Sequence, residues 1–595
     1  MIKNPTLDRV KALRQKMNER QLAAFIIPGT DPHLSEYSAD HWKARGWISG
    51  FNGSAGTAVV TMTKAGLWTD SRYFLQAGIQ LEGSDFTLFK EGLSETPSIR
   101  EWLATTLPSG SIVGIDGSMF SYDEAKQLKD FLESKGLVLI SDFTPFEEIW
   151  NDRPEIPHDP IFVYPEKYNG EIFKSKMERI SEKIKKEGAN AFLLAALDEI
   201  AWMLNLRGTD VPCNPVGICY AYLSERERVL FIDSKKVDTD TAEYLKKNGI
   251  KLAQYEKIYD FLNKLPETEK IFIDPRKINY SLVKAIPATQ KIIFGNSPIT
   301  WEKSLKNETE IAGFKDAMIR DGIALVHFFR WLETHVGEGN VTEITISEKL
   351  REYRSRQALY VGESFSTIAG FNAHGAIVHY SATPETNATL KPEGLLLIDS
   401  GAQYLDGTTD ITRTIALGEL STKQKRDFTL VLKGHIGIAT CRFPQGTRGS
   451  QIDILARRFL WNEGLNYLHG TGHGIGHFLN VHEGPQNIRL EENLTPLTPG
   501  MVTSNEPGIY IAGEYGIRTE NLTLVIEDQE TEFGKFYKFE TLTLFPIDKK
   551  AIDKSLLTEE EIEWLDNYHQ TVYAKLSPAL DKEAKEWLKK ATEKL

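Results

Sequence analysis

The chain has 595 residues, 41% of them hydrophobic and 26% charged, with a net charge of −13 at pH 7. That length exceeds one hydrophobic core and implies about three to five domains, while the acidity excludes nucleic acid or an anionic membrane as the main partner. Three cysteines, Cys213, Cys219 and Cys441, form no metal-type cluster and suit a reducing cytoplasm.

Residues 1–21 read as a polar amphipathic helix without the apolar segment of a signal peptide, and no stretch approaches the ~18 apolar residues of a membrane span. The expectation is a soluble cytoplasmic protein. LAAFIIP is a buried strand, TAVVTMT and AGLWTD make a hairpin, and SRYFLQAGIQL starts a helix. The proline-rich residues 151–170 break all periodicity and read as a linker. A helix, SKMERISEKIKKEG, and a strand, NAFLLA, come next. From there the chain echoes itself. AAFIIPGTDPHLSEY is matched by AFLLAALDEIAWML, and GTAVVTM with GLWTDSRY by GICYAYL with RVLFIDSKK. Two copies of one α/β unit are expected. Arg72 of the first copy falls where the second has Lys235.

Near residue 304 a third region opens with a long amphipathic helix, KNETEIAGFKDAMIRDGIALVHFFRWLE, and helices then alternate with β-hairpins to about residue 546. The rest is a charged helical tail in which Trp564, Tyr568 and Trp587 read as packing anchors. The expected domains are therefore 1–155, 156–303, 304–546 and the extension 547–595, in an α/β (α+β) protein.

The chemistry concentrates in the third region. In LLLIDSGAQYLDGTTDITRT, a hairpin folded about residues 404 and 405 sets Asp399 opposite Asp410, about 5 Å apart on one face. Like charges so close repel unless one is protonated or a cation lies between them, although strand-edge aspartates also serve as loop caps. In TSNEPGIYIAGEYGIRTENLTLV, Glu506 and Glu520 are symmetric about Gly513 and pair across a second hairpin. Four converging carboxylates call for about four positive charges, which two divalent metals supply. LHGTGHGIGHFLNVHEGP offers His469, His473, His477 and His482 as nitrogen donors, on a glycine-rich turn leading into a strand or short helix. Such oxygen-rich ligation favours Mn²⁺, with Co²⁺, Fe²⁺ or Zn²⁺ as alternatives. Two such ions ~3.5–4 Å apart can share a water and hold it as hydroxide, which is hydrolytic chemistry.

The order Asp, Asp, His, Glu, Glu resembles that of the pita-bread metallopeptidases, the group of methionine aminopeptidase, prolidase, aminopeptidase P and creatinase. The resemblance implies that the metal ligands are Asp399, Asp410, His473, Glu506 and Glu520. Over nearly its full length the chain is similar to the three-domain cytosolic Xaa-Pro aminopeptidases. GFNGSAGTAVVT followed by GLWTDSRYFLQA resembles their first domain. This implies two creatinase-type α/β domains, a pita-bread catalytic domain and a short helical tail. It also implies a homodimer that removes the first residue of peptides whose second residue is proline. Within it, Glu506 would be the general base. His379 and His482 would bind substrate and stabilise the tetrahedral intermediate, His469 would stand at the site wall, and Arg72 would reach toward the peptide.

Plainer roles stand beside these. His379 can be a satisfied strand-end histidine and Arg72 an ion-pair partner of Asp70. Arg518, two residues before Glu520 on the same strand face, either braces a ligand carboxylate or neutralises nearby acids. FNAHGAIVHY departs from the family pattern at Ala373 and His374, and His477 is a second departure; extra histidines there can alter metal preference or pH response. Prolidase, which takes only dipeptides, is the nearest alternative activity. A pita-bread fold kept as a protein-binding module is the alternative of another class.

Overall fold

The computed structural model describes residues 5–595. The chain divides into two compact units, one running up to Tyr164 and including Glu171–Thr300, the other formed by Pro165–Gly170 and Trp301–Leu595. Among the described residues no helix is long and apolar enough to cross a membrane.

In the N-terminal unit the first helix, Pro5–Glu19, buries Val10, Leu13 and Met17 at three- and four-residue spacing; the first four residues of the expected helix lie outside the described range. Two six-stranded sheets follow with one topology. In the first, Leu22–Pro28 pairs antiparallel with Thr57–Thr61 and parallel with Ile112–Gly114. Ala65–Thr69 continues the antiparallel side, and Phe86–Lys90 and Val138–Ile140 close the two edges in parallel. In the second, Ala191–Leu194 takes the central place, with Tyr220–Ser224, Arg228–Phe231 and Lys251–Ala253 on one side and Lys270–Ile273 and Lys291–Phe294 on the other, each in the corresponding orientation. The repeat extends to the caps. Asp70 accepts from the Arg72 N–H and Asp233 from the Lys235 N–H, each opening a one-turn helix.

The two copies dock through equivalent segments. Tyr122 N donates to the Ile278 carbonyl and Tyr280 N to that of Phe120, both at 2.9 Å; Asp123 N donates to Pro275 O and Ser281 N to Gly117 O. Ser121 and Asn279 bridge at the centre, and each is also the N-cap of its own helix. This exchange of bonds is an approximate two-fold relation inside one chain.

The proline-rich stretch is more ordered than its sequence suggests. Phe162–Val163 pairs with Leu206–Arg207, and Glu166–Asn169 forms a helical turn. The peptide groups between its prolines find backbone partners, Ile161 N on Lys236 O and Tyr164 N on Asn205 O.

In the C-terminal unit the helix Glu308–His335 starts at a capping box between Asn307 and Glu310 and buries Phe314, Met318, Leu325, Phe328 and Leu332. It fixes the position of the aspartate hairpin. A Cβ at Gly313 would stand 2.2 Å from the Asp406 carbonyl, so only glycine admits this approach. The Tyr404 hydroxyl donates to Asp321, which also takes a two-pronged bond from the buried Arg354. A three-stranded sheet carries Ile368–Phe371, Leu395–Ser400 and Ile411–Ala416; a six-stranded one carries Gly472–Gly474, Glu483–Ile488, Val502–Asn505 and the long hairpin Asn521–Thr531 with Gly534–Thr541, edged by Arg442–Pro444. The C-terminal helices Glu559–Leu576 and Lys582–Ala591 complete the unit. As expected of anchors, Trp564 stacks on the buried Tyr568 and Trp587 on Phe545.

Candidate metal centre

Both acid-bearing hairpins bend from one sheet into another. The outer part of the aspartate hairpin, Ala402–Tyr404 against Gly407–Thr408, lies in a different sheet from its inner part. Its turn sits one residue later than expected: Tyr404 pairs with Gly407, and Asp399 pairs with Thr412 rather than Asp410. The helix pressed against Asp406 and the Tyr404–Asp321 bond place the turn at Leu405 and Asp406. Asp410 sits where the ladder breaks between the two sheets. The glutamate hairpin follows its predicted symmetry. Asn505 pairs with Asn521 in the large sheet and Gly508 with Arg518 in a separate two-stranded ribbon, so Glu506 and Glu520 occupy the bend.

The two bends are stitched together. Glu520 N donates to Thr412 O at 3.1 Å, and the Thr412 hydroxyl donates to a Glu520 carboxylate oxygen at 2.8 Å. The Thr414 hydroxyl accepts from Arg518 N and donates to Arg518 O. Arg518 ends one strand of the ribbon, so Glu520 lies beyond it and not on the same strand. Its guanidinium turns back to Asp399, 2.6 Å away, and donates also to Thr412 Oγ1 and the Tyr510 hydroxyl.

Asp410, His473 and Glu520 each offer a ligand atom within 4.8 Å of the others. His473 Nε2 is 3.6 Å from Asp410 and 3.4 Å from Glu506. Its Nδ1 is 3.0 Å from the Gly474 carbonyl. A carbonyl only accepts, so Nδ1 carries the proton and the Nε2 lone pair faces the carboxylates. That is the orientation of a ligand. Asp399 gives one oxygen to Arg518, while its buried Oδ1 has no hydrogen-bond partner. Burial, then the neighbouring carboxylates, raise the proton affinity of Asp410 and Glu520 well above the usual range. Burial and the Asp399 charge push Glu506 up to about 7 against the opposing pull of Arg518. The Ser504 hydroxyl donates to Glu506 and accepts from His473 N. A bent pair of hairpins thus concentrates negative charge, an unpartnered buried oxygen and an aimed imidazole. The donor set fits hard divalent cations.

The other predicted residues divide. The His482 ring stands edge-on to His473 at 4.3 Å, and the next residue, Glu483, is buried between Lys303 and Lys306. His469 Nδ1 donates to Gly470 O, and its Nε2 lies 2.8 Å from the Tyr510 hydroxyl, so His469, Tyr510, Arg518 and Asp399 form one chain of bonds. His379 follows Val378, whose carbonyl accepts from Arg518 at 3.4 Å. Arg72 lies in the N-terminal unit, in a two-pronged pair with Asp70. His374 is bonded to the buried Glu343, and His477 is buried with Nε2 on the Asp406 carbonyl and its ring against Phe314. Both departures from the family pattern are thus engaged with partners other than the five acid and imidazole groups. Tyr510, Thr412 and Ser504 escaped the sequence reading. An alternation of two along the strand from Gly508 points Tyr510 the same way as Gly508, but nothing local marks it as a bridge.

Two α/β repeats ahead of a hairpin-borne carboxylate centre define a metallopeptidase of the creatinase and prolidase type. Residues 9–149 and 152–310 each match the Creatinase/Prolidase N-terminal domain, residues 312–527 match Metallopeptidase family M24, and residues 535–595 match the C-terminal region of peptidase M24. The chain is 44% identical to a probable Xaa-Pro aminopeptidase P of Coprinopsis cinerea, over 99% of both chains. It is 42% identical to aminopeptidase P2 of Arabidopsis thaliana, over 98% of this chain and 87% of that one. The crystal structure of X-prolyl aminopeptidase from Caenorhabditis elegans, described as a cytosolic enzyme with a di-nuclear active site, superposes with a TM-score of 0.95 at 35% identity, covering 99% of this chain and 100% of that one. The chain belongs to the Xaa-Pro aminopeptidases of metallopeptidase family M24.

Proposed function

We propose that the protein hydrolyses the bond between an N-terminal residue and a following proline, using two divalent metal ions held by Asp399, Asp410, His473, Glu506 and Glu520. The observation that carries this reading is the His473 Nε2 lone pair facing the carboxylates at the two hairpin bends. Mn²⁺ suits this oxygen-rich set best, with Co²⁺, Fe²⁺ and Zn²⁺ as alternatives. When bound, the ions supply Lewis acidity to a water and to the scissile carbonyl.

The chain's own groups do the rest. Glu506, at the hairpin bend 3.4 Å from His473, accepts the proton of the attacking water. The prolyl nitrogen, like that of any cleaved amide, needs a proton to depart as an amine, and Glu506 returns it there. By the family resemblance, His482, whose ring stands edge-on to His473, and His379, next in sequence to the Val378 carbonyl that Arg518 bonds, donate to the oxyanion and the peptide. His469 holds Tyr510 and through it Arg518, which keeps Asp399 in place. Arg72 is assigned to the peptide by family resemblance. A cytoplasmic homodimer belongs to the same reading, and the C. elegans structure described as a cytosolic enzyme supports the compartment.

The test is one purified sample stripped with chelator, reloaded with Mn²⁺ and offered Xaa-Pro-Yaa tripeptides and Xaa-Pro dipeptides. We expect Mn²⁺-restored release of the first residue from the tripeptides. Cleavage of dipeptides alone would replace the reading with prolidase, and no cleavage of either by metal-loaded protein would refute both.

A further inference from the structure

Arg413 is almost fully buried, yet among the described residues its guanidinium bonds to no carboxylate. Among the described residues its acceptors are the carbonyls of Thr412, Glu520, Phe545 and Pro546, the Asn521 side chain and the Tyr568 hydroxyl. A buried cation without a paired acid costs several kcal/mol, and an apolar side chain would fill the same space more cheaply. What Arg413 gains is a place behind the acids. It follows Thr412 on its strand and so points to the opposite face, away from the side where the Thr412 hydroxyl holds the Glu520 carboxylate. From there it grips the Glu520 carbonyl at 2.6 Å and the Asn521 amide oxygen at 2.8 Å.

The other end of this grip is the C-terminal extension. The Tyr568 hydroxyl, on the helix Glu559–Leu576, lies 2.9 Å from Arg413 Nη2 and 3.3 Å from Asn521 Oδ1. Its ring is stacked on Trp564, so the phenol is fixed in orientation. The hydroxyl also meets the Thr543 and Phe545 carbonyls at 3.0 and 2.9 Å, so it ties its helix to the same segment whose Phe545 carbonyl accepts from Arg413.

We propose that the C-terminal helix is a positioning element of the metal centre: the Tyr568 hydroxyl locks Arg413, and Arg413 locks the peptide from Glu520 to Asn521 that aims the Glu520 carboxylate. The inference rests on Glu520 being a ligand, as proposed above. Removing the hydroxyl loosens a ligand without touching it; groups bonded directly to ligands are worth about 10- to 100-fold in metal affinity, and the hydroxyl, one bond further out, belongs at the low end of that range.

The experiment titrates Mn²⁺ into full-length, metal-free protein and follows the free ion by electron paramagnetic resonance, with thermal unfolding of the same samples. Tyr568→Phe is compared with Asp581→Ala, which removes the N-cap of the helix Lys582–Ala591 in the same extension and touches neither Arg413 nor Phe545. We expect Tyr568→Phe to raise the Mn²⁺ concentration for half-occupancy about 10-fold, with the peptide KM unchanged, while Asp581→Ala binds like the parent. Equal weakening by both variants would show that the extension acts only through general stability and would overturn the proposal, as would parent-like binding by Tyr568→Phe. Parent protein that takes up no Mn²⁺ would instead refute the ligand assignment itself.

Discussion

Carboxylates buried together at one site resist ionising, first through burial and then through their neighbours, and that resistance is measurable before any metal is added. In the folded chain Glu506 keeps its proton up to about pH 7, whereas an unfolded glutamate releases it near about 4.3. Between those values the folded state holds more protons than the unfolded one, so the Glu506 contribution to stability is full at low pH and is lost as pH rises through about 7. Burial works the other way on His435 and His569, pushing both down to about 3, so their contribution is lost as pH falls below about 6.5. Glu506→Gln separates the two effects, because it retains both histidines. In chelator, the variant should gain on the parent by roughly 1–3 kcal/mol between pH 5 and pH 8, read from denaturant unfolding at each pH. A constant difference across that range would mean that neither burial nor the neighbouring acids hold a proton on Glu506. Mn²⁺ should reverse the order at pH 8, since binding requires the ionised ligands.

The bends in the two hairpins explain what the sequence disclosed about the site and what it hid. Glu506 and Glu520 were legible as a pair because Gly513, with φ +76°, marks the turn centre, and the register runs outward from it without a slip. The aspartates were legible as residues but misregistered, because their turn is set by contacts with a helix some ninety residues away and not by the Asp406-Gly407 signal. Tyr510, Thr412 and Arg413 were invisible for a related reason: each acts through a bond to another element, and nothing in residue type or spacing reports it. The same dependence makes the loop before His379 sensitive to a methyl group on the ribbon. The 3₁₀ segment Asn372–Ala376, which precedes His379, lies against Gly516, where a Cβ would meet the Gly375 carbonyl at 1.7 Å. Backbone cannot yield as a side chain can. Gly516→Ala should therefore destabilise the fold by about 1–3 kcal/mol, seen in denaturant unfolding. By displacing the loop that carries His379, it should also lower kcat/KM for Xaa-Pro peptides. Parent-like activity and stability would mean that the loop is held elsewhere.

The internal repeat was visible only as a faint echo of residues, because what the copies share is strand order and orientation more than side chains. Where they do share chemistry, it marks the docking of one copy on the other. Ser121 and Asn279 stand at equivalent points, each capping a helix and bridging to the other. Their burdens differ. Ser121 caps through its hydroxyl and shares a capping box with Glu124. Asn279 is fully buried; its Oδ1 accepts from Leu282 N while its Nδ2 donates to the Pro32 carbonyl of the first copy at 2.8 Å. Losing a cap costs about 1 kcal/mol, and leaving a buried carbonyl unsatisfied adds about 1–3 kcal/mol. Asn279→Ala should thus cost about 2–4 kcal/mol and Ser121→Ala about 1 kcal/mol. Amide hydrogen exchange on the full chain would localise the difference. Asn279→Ala should speed exchange in both central strands, Leu22–Pro28 and Ala191–Leu194, because it loosens the contact between the copies as well as one helix. Faster exchange confined to the helix after residue 279 would show that the two copies hold their structure independently of this bond.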